Sequence, residues 1–205
     1  MKLIYMIIKR LFDIIISIIG CILLIPISFV LKIIFIISKD YKSIFYKQKR
    51  VGKNGKVFII YKYRTMYYNA EDDLNKLLKK DKYKKEWSNN HKIKNDPRVT
   101  KIGKILRNTN IDELPQFINI LINNMSLIGP RPLVENELKE HKGNIKKYQS
   151  IKPGLTGWWV CQKNNTKTYK DRLKLEYYYI DNMSILLDIK CILKTIKYIF
   201  RSKDD

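Results

Sequence analysis

The sequence predicts an α+β fold that is predominantly helical, with an N-terminal membrane-inserted segment and a compact cytoplasmic domain that carries amphipathic interfacial helices. Three observations predict it. A long apolar run lies within the first 40 residues, amphipathic helical patterns recur through the remainder, and only one short stretch has strand character. Neither an internal repeat nor a low-complexity linker is evident. Residues 1–40 are therefore the predicted membrane segment and residues 41–205 a single domain.

The apolar run covers residues 14–37, in which Lys32 is the only charged residue. As a continuous helix it reaches about 36 Å, which is enough to cross the hydrocarbon core of a bilayer. It is too long for the apolar region of a typical signal peptide, and no small-residue cleavage site follows it. Membrane insertion is therefore favoured over a buried helix of a soluble protein.

Two features favour a re-entrant helix over a simple crossing. Pro26 lies in the middle of the run, where it removes a backbone hydrogen bond and favours a break. Basic residues also flank both ends, namely Lys2, Lys9 and Arg10 before the run and Lys39, Lys42, Lys47, Lys49 and Arg50 after it. A helix broken at Pro26 keeps both basic clusters on the cytoplasmic face, as the positive-inside bias prefers. A simple transmembrane helix is the alternative.

The charge and the cysteines restrict the partners and the compartment. The formal net charge of +22 favours nucleic acid, anionic lipid or phosphate-bearing substrates. No nucleic-acid-binding motif is present and the apolar N-terminus argues against that class, so we expect no nucleic-acid partner. Cys21, Cys161 and Cys191 are odd in number and widely spaced, which indicates free thiols in a reducing cytoplasmic setting.

The remaining elements follow from periodicity and turn residues. Residues 57–61 form a predicted strand after a turn at residues 52–55, and residues 70–95 a surface helix and loop. Residues 96–98 form a turn before a short basic helix that ends near Asn108. Further helices are predicted at residues 135–148, 169–181 and 185–200, with a loop at residues 151–165. Lys62 and Arg64 belong to a basic, glycine-containing segment that suits phosphate contact or a solvated loop at an anionic membrane.

Adjacent carboxylates, Asp112 and Glu113, lie in the stretch NTNIDELPQ. Asn110 and Glu113 have capping-box spacing and Pro115 is tolerated in a first helical turn, so on spacing alone the two acids complement a helix dipole. The other interpretation is a nucleophile beside a metal ligand, since a hard divalent cation takes oxygen ligands and bridges to phosphates.

Arg131 lies between Pro130 and Pro132, which present its guanidinium rigidly. Such a group grips a phosphate bidentately, although a structural Arg–carboxylate pair is the alternative. Trp158 and Trp159 follow two glycines, and we expect them in the core, at the membrane interface or stacked on a nucleotide base, in that order.

Several stretches together resemble one family, the bacterial sugar transferases that act on polyprenyl phosphate, also called small monotopic phosphoglycosyl transferases. The matching stretches, which cover nearly the whole chain, are residues 9–17, 46–66, 96–132, 152–158 and 177–196. The block with DELPQ and IGPRP is the most specific of them.

The resemblance implies transfer of a sugar 1-phosphate from a nucleoside diphosphate sugar, commonly UDP-linked, to undecaprenyl phosphate at the cytoplasmic face of the bacterial inner membrane. This step initiates capsule, exopolysaccharide, O-antigen or glycoprotein glycans. Asp112 is implied to attack the β-phosphate, which releases UMP and leaves a covalent phosphosugar–enzyme. Glu113 is implied to bind Mg²⁺, Arg131 to bind phosphate, and Pro26 to break the re-entrant helix.

The chain departs from the family pattern at three places. Ile25 stands where a Ser commonly precedes the proline, and Glu176 stands where Asp is common. Residues 159–165 lack a Gly-Arg pair, so Lys163 is the expected substitute in substrate binding and this stretch is the expected specificity region. Lys62 and Arg64 are expected electrostatic helpers. A catalytically inactive membrane-docking relative is the alternative function, and retention of both acids argues against it.

Overall fold

The computed structural model describes residues 2–90, 93, 95–141, 143–162 and 168–201, and this part of the chain is mostly helical. The helices are α1 (Lys2–Ile37), α2 (Ala70–Leu77), α3 (Asp81–Asn90), α4 (Lys101–Asn108), α5 (Gln116–Leu121), α6 (Ile145–Tyr148), α7 (Trp158–Cys161), α8 (Tyr169–Asp181) and α9 (Ile185–Arg201). The strands are β1 (Phe45–Val51), β2 (Val57–Tyr63), β3 (Ser126–Ile128) and β4 (Gly154–Thr156). The predominantly helical α+β fold is thereby confirmed.

Helix α1 runs through Pro26 as a single helical element, so the expected helix–break–helix is not present as two separate helices. By length and composition it is a candidate membrane span. Residues spaced three, four or seven apart form one buried stripe along it, namely Asp13, Ser17, Gly20, Leu24, Leu31 and Phe35. The opposite face exposes large apolar side chains such as Ile15, Ile22 and Phe29. Helix α1 therefore lies along the rest of the protein with an apolar face uncovered.

Polar side chains near the start of α1 bind backbone groups of the following domain. Arg10 donates to the carbonyls of Ile120 (2.8 Å) and Leu121 (3.0 Å), which belong to the end of α5. Asp13, although buried, accepts a hydrogen bond from the backbone amide of Leu127 in β3 (2.8 Å). These contacts fix α1 against α5 and β3.

A buried polar cluster joins the start of α1 to the C-terminal helices. Asp188 of α9 accepts hydrogen bonds from Tyr5 (2.9 Å), Lys9 (2.8 Å) and Tyr179 of α8 (2.7 Å). Lys9 and Asp188 also form an ion pair in which both side chains are mostly buried. With this many donors around one carboxylate, the charge pair is hydrogen-bonded as burial requires.

Strands β1 and β2 form an antiparallel hairpin whose register pairs Phe45 with Tyr63 and Val51 with Val57. The connecting turn places Asn54 at φ 56° and Gly55 at φ 77°, a left-handed conformation that these two residue types tolerate best. The strand predicted at residues 57–61 and the turn before it are confirmed.

The other edge of β2 is held by one side chain of α5. Asn119, which is fully buried, accepts from the amide of Tyr61 (3.0 Å) and donates to the carbonyl of Ile59 (2.6 Å). The side-chain amide thus takes the place of a neighbouring strand. Because of this pairing, the turn that precedes α5 is set beside β2.

Strands β3 and β4 form a second, parallel pair, with Ser126 opposite Gly154 and Ile128 opposite Thr156. The backbone of the Gly-Pro-Arg-Pro corner passes so close to β4 that a Cβ on Gly154 would lie 2.1 Å from the amide nitrogen of Gly129. Glycine is therefore required at residue 154, because any side chain would push the corner away.

The secondary structure differs from the prediction in several segments. The helix expected at residues 135–148 is wrong, because a 3₁₀ segment (Glu135–His141) and the short α6 occupy it, with Gly143 at φ 78° between them. The loop expected at residues 151–165 contains β4 and α7. Strands β1, β3 and β4 were not predicted, whereas α4, α8 and α9 are confirmed.

Candidate active site

The two acids lie in a 3₁₀ turn, Ile111–Glu113, between α4 and α5. Asn110, which precedes the turn, has a left-handed backbone (φ 57°) and makes no side-chain capping bond. The predicted capping box is therefore wrong, because a capping residue needs an extended backbone to direct its side chain at the helix amides. Helix α5 begins only after Pro115, so Asp112 and Glu113 project from a tight turn.

Lys62 on β2 contacts Glu113 directly, with its Nζ 2.5 Å from Oε1. Burial by itself raises the pKa of Glu113, but the positive charges of Lys62, Arg131 and Arg50 outweigh it and the pKa of Glu113 is lowered. Glu113 is thus an ionised carboxylate in a strongly cationic setting.

Asp112 has the opposite behaviour from its neighbour. Burial, followed by the charge of Glu113, raises the pKa of Asp112 to about 6, although Lys62 and Arg107 act against the rise. Within the part of the chain that the structure describes, its carboxylate accepts no hydrogen bond from another residue. An anionic oxygen without donors is a better nucleophile than one held by hydrogen bonds, so the two acids are differentiated in role.

An open cleft adjoins this turn. Its wall is formed by β2, the Gly-Pro-Arg-Pro corner and the segment from β4 to α7, with polar side chains of Arg50, Lys62, Glu113, Gln116 and Arg131 and apolar surface from Trp159 and Val160. Gln116 is almost fully buried (2% exposed). The cleft, which Glu176 also lines, thus combines cations, two carboxylates and an aromatic ring.

Arg131 enters the cleft from the corner after β3. Among the described residues its guanidinium has neither an ion pair nor a hydrogen bond, and its Nε is buried without a partner. The alternative of a structural Arg–carboxylate pair is therefore not found there. A partly buried guanidinium without a counter-charge is suited to bind an anion.

The backbone around Arg131 is held from behind by a buried network. Glu176 accepts from the Arg131 amide (3.2 Å) and from Nε of Arg172 (3.2 Å), and Tyr148 donates to the Arg131 carbonyl (2.7 Å). Burial raises the pKa of Glu176, and the neighbouring Arg172 opposes the rise. Arg172 in turn packs 4.9 Å from the ring of Trp159, so the network also supports that wall of the cleft.

One of the predicted substrate contacts, Arg64, is not in the cleft. Arg64 is buried and engaged elsewhere, with Nη1 and Nη2 bound to both oxygens of Asp40 (2.8 and 2.9 Å) and its guanidinium 4.7 Å from the ring of Phe35. The structure therefore does not support a substrate contact by Arg64, which fixes the chain after α1. Lys163 lies outside the described residues.

The tryptophan pair divides between two environments. Trp158 packs beside the buried core of Ile128, Tyr179 and Leu187, with the amino groups of α9 lysines against its ring. Trp159 lines the cleft. Sequence reasoning treated the pair as one unit, whereas on a helix neighbouring residues point about 100° apart.

Sequence reasoning also missed Arg50 and Gln116. Arg50 was grouped with the basic residues that flank the apolar run, although it lies on β1 and reaches the carbonyl of Pro132 (3.2 Å). Gln116 follows the two acids in DELPQ, and that proximity was the available signal for it.

The residues present suit Mg²⁺ as a metal shared with a substrate. Within the described residues no group of three His, Cys, Asp or Glu side chains is arranged to hold a metal alone. Mg²⁺ commonly binds through one or two carboxylates and completes its coordination with phosphate oxygens and water. Glu113 has a second carboxylate oxygen beside the one that Lys62 contacts, and Asp112 is adjacent in sequence.

Comparison with known proteins identifies the family. Residues 4–202 match the family described as bacterial sugar transferase, which is nearly the full length of the chain. The chain belongs to the bacterial sugar transferase family. The expected family resemblance is thereby confirmed.

Named relatives of this bacterial sugar transferase differ in length. An undecaprenyl-phosphate galactose phosphotransferase from Salmonella typhimurium is 38% identical over 194 residues, which cover 94% of this chain and 40% of the relative. The exopolysaccharide production protein ExoY from Sinorhizobium fredii is 38% identical over 196 residues, which cover 95% of this chain and 86% of the relative. A UDP-glucose:undecaprenyl-phosphate glucose-1-phosphate transferase from Klebsiella pneumoniae is 34% identical over 93% of this chain and 40% of its own length. The chain thus spans about two fifths of some relatives and most of others.

Proposed function

We propose that this bacterial sugar transferase moves a sugar 1-phosphate from a nucleoside diphosphate sugar, namely a UDP-sugar, to undecaprenyl phosphate. The names of the relatives support the lipid carrier and UDP-linked donors. The observation that carries the reaction class is the pair of unlike acids, of which Glu113 lines a cleft that also contains an unpaired arginine. Phosphoryl transfer needs in-line positioning and charge cancellation more than it needs covalent assistance from many residues.

In the first step, a carboxylate oxygen of Asp112 attacks the sugar-bearing phosphorus of the donor. The bond from that phosphorus to the bridging oxygen breaks, and the nucleoside monophosphate leaves with the electron pair. The product is an acyl phosphate diester between Asp112 and the sugar. Arg131 and Lys62 line the cleft beside the two acids, and in this proposal they neutralise charge on the phosphoryl oxygens during this step.

In the second step, a phosphate oxygen of the polyprenyl phosphate attacks the same phosphorus. The bond to the Asp112 oxygen breaks, which regenerates the carboxylate and yields a polyprenyl diphosphate sugar. One site thus performs two displacements, as covalent catalysis allows. A pKa near 6 leaves Asp112 ionised at neutral pH, which both attack and departure require.

Mg²⁺ belongs to this proposal as a cofactor that cancels phosphate charge when it is bound. Glu113 would hold it, with the donor phosphates as further ligands. The contact between Lys62 and Glu113 orients the carboxylate before the substrate arrives.

The proposed location is the cytoplasmic face of the bacterial inner membrane, with α1 re-entrant or lying in the interface. Two observations support it. Contacts to the domain occur near the start of α1, at Lys9, and near its end, at Phe35. A helix that crossed the bilayer upright would carry the charged domain packed along it into the hydrocarbon, at a large desolvation cost. The uncovered apolar face of α1 and the basic protein surface suit the interface of an anionic leaflet.

Activity is tested with purified protein, radiolabelled UDP-sugars, Mg²⁺ and a short polyprenyl phosphate. We expect release of UMP and a labelled lipid product from the native protein, and neither from Asp112→Asn. Absence of UMP release with every sugar would sink the proposal and favour the inactive docking relative. Turnover by Asp112→Asn would show that Asp112 is not the nucleophile, although the reaction would still be sugar-phosphate transfer.

The topology is tested by cysteine labelling at both ends of α1. Lys2→Cys and Lys42→Cys variants are treated in intact spheroplasts with a membrane-impermeant maleimide, and the labelled peptides are assigned by mass spectrometry. We expect both sites to react only after permeabilisation. Reaction of one site in intact spheroplasts would establish a crossing helix. The native cysteines are internal references in each digest.

A further inference from the structure

Three buried arginines in the described part of the chain each have a hydrogen-bonded carboxylate, and Arg172 binds Glu176 through Nε (3.2 Å). Arg64 and Arg98 are each closed by a bidentate carboxylate, Asp40 and Asp96 respectively, at 2.6–2.9 Å. Arg50 is different, although its side chain is only 11% exposed. Its nearest carboxylate, that of Glu137, lies 3.8 Å away, which is too far for a hydrogen bond.

The remaining contacts of Arg50 are neutral. Its Nη1 donates to the carbonyl of Pro132 (3.2 Å) and its Nη2 to the amide oxygen of Gln48 (2.5 Å), while Nε is buried without a partner. A carbonyl and an amide orient a guanidinium, but they do not cancel its charge. Arg131 lines the same cleft and likewise has a buried Nε without a partner.

The positive charges of the two guanidinium groups also repel one another. Burial, followed by the charge of Arg131, lowers the pKa of Arg50 from its ordinary value. The carboxylate of Glu137 meets Arg50 only at 3.8 Å, and the buried Nε of Arg131 has no partner, so an anion between the two guanidinium groups would relieve their mutual repulsion. Lys62, the remaining cation of the cleft, is already engaged with Glu113.

We propose that Arg50 is a second phosphate-binding residue, which together with Arg131 holds the two adjacent phosphoryl groups of a nucleoside diphosphate. One guanidinium fork matches the oxygens of one phosphoryl group, so two forks match a diphosphate and give it an advantage over a monophosphate. This inference rests on the proposed function for the nature of the donor. It adds a consequence for the reaction: once the phosphosugar has been transferred to Asp112, the departing monophosphate loses one of its two clamps.

The inference is tested by calorimetric binding of UDP and UMP to the full-length protein in detergent. Both probes carry the same base and ribose, so the ratio of their affinities isolates the contribution of the second phosphoryl group. The variants are Arg50→Gln, Arg50→Lys and Arg131→Gln. The matched control is Lys49→Gln, which removes a charge from an exposed position one residue away on the same strand.

We expect the native protein and Lys49→Gln to bind UDP more tightly than UMP. Arg50→Gln should weaken UDP binding by about tenfold or more and UMP binding by less than about threefold, as loss of charge-assisted hydrogen bonds to one phosphoryl group predicts. Arg50→Lys should recover part of the difference, because it keeps the charge. Equal losses of affinity for UDP and UMP, or no loss for either, would contradict the proposed phosphate contact of Arg50. Arg50 would then only support the corner at Pro132.

Sugar-phosphate transfer measured on the same preparations separates the two proposals. An active native protein whose UDP preference survives Arg50→Gln contradicts the clamp alone. An inactive native protein whose UDP preference depends on Arg50 contradicts the transferase alone. A native protein without a UDP preference contradicts the clamp, and its transfer assay then decides the transferase separately.

Discussion

Lys62 Nζ lies 2.5 Å from Glu113 Oε1, which ties strand β2 to the turn that carries both acids. The same ammonium lowers the pKa of Asp112, whose carboxylate is the proposed nucleophile. One lysine therefore affects both acids, since it orients the first by contact and keeps the second ionised by its field.

Lys62→Met should shift the acid limb of the pH–rate profile to higher pH. In the native protein, kcat/KM should fall as pH drops through about 6, because protonation of Asp112 removes the nucleophile. Without the charge of Lys62 the pKa of Asp112 rises, so the midpoint should move upward by about one pH unit. The measurement is UMP release across pH 5–8.5 at subsaturating donor.

The control for this shift is Lys56→Met, which removes a charge from an exposed residue immediately before β2. Its midpoint should match that of the native protein. If Lys62→Met lowered the rate equally at every pH, the lysine would act on substrate binding alone.

Asp112→Asn should make the folded protein more stable at neutral pH while it abolishes transfer. The pKa of Asp112 is raised to about 6 by burial, so the folded state prefers the protonated acid. That preference contributes stability below the unfolded pKa of about 4 and loses it as pH rises through about 6. The neutral amide avoids the loss, which gives roughly 1–2 kcal/mol at pH 7.5 for a half-buried group.

The stability gain is measured by thermal unfolding in detergent with EDTA at pH 4 and pH 7.5. The gain should be present at pH 7.5 and small at pH 4. Asp72→Asn, at an exposed position, should show no such pH-dependent gain. A destabilised Asp112→Asn at pH 7.5 would contradict the burial argument.

Gly20→Val should displace α5 and the acids that precede it. A Cβ at Gly20 would lie 2.4 Å from the ring of Phe117, the second residue of α5. Overpacking of this kind costs about 1–3 kcal/mol, and the shift should also reduce transfer. In the double variant with Phe117→Ala the ring is gone, so the destabilisation should be less than the sum of the single variants. Additive effects would mean that the helices do not meet here.

Arg64→Lys should lower stability and leave the donor KM unchanged within about twofold. The planar fork of Arg64 binds both oxygens of Asp40, and a lysine cannot reproduce that geometry. We expect a loss of about 1–3 kcal/mol in the free energy of unfolding. Thermal unfolding and donor saturation curves on the same preparation test this. A large rise in the KM for the donor would indicate that Arg64 contacts the substrate.

Lys62 and Arg64 also show where sequence reasoning reached its limit. Both were expected to act as electrostatic helpers of the substrate, because they belong to one basic segment. Strand β2 ends at Tyr63, however, so Arg64 lies beyond the strand and turns to Asp40. The end of a strand depends on long-range pairing with β1, which a local pattern does not reveal.

Local periodicity served well where an element is long and amphipathic, as in α8 and α9. It failed for β3 and β4, which are three residues each and exist because distant segments pair. The two acids and Arg131 were found through family motifs. Arg50 was not, because it is one of 41 lysines and arginines, and what distinguishes it is a buried Nε without a hydrogen-bond partner beside the cleft.

The contact between Lys9 and Asp188 has a consequence for biosynthesis. The two residues are 179 positions apart. At about 5–20 residues per second, the ribosome needs on the order of 10–40 s to supply the carboxylate after it has made the lysine. During that interval the polar cluster at the start of α1 is incomplete and the apolar helix has no C-terminal partner. The nascent chain therefore depends on a bilayer or a chaperone to shelter α1 until the last helix emerges.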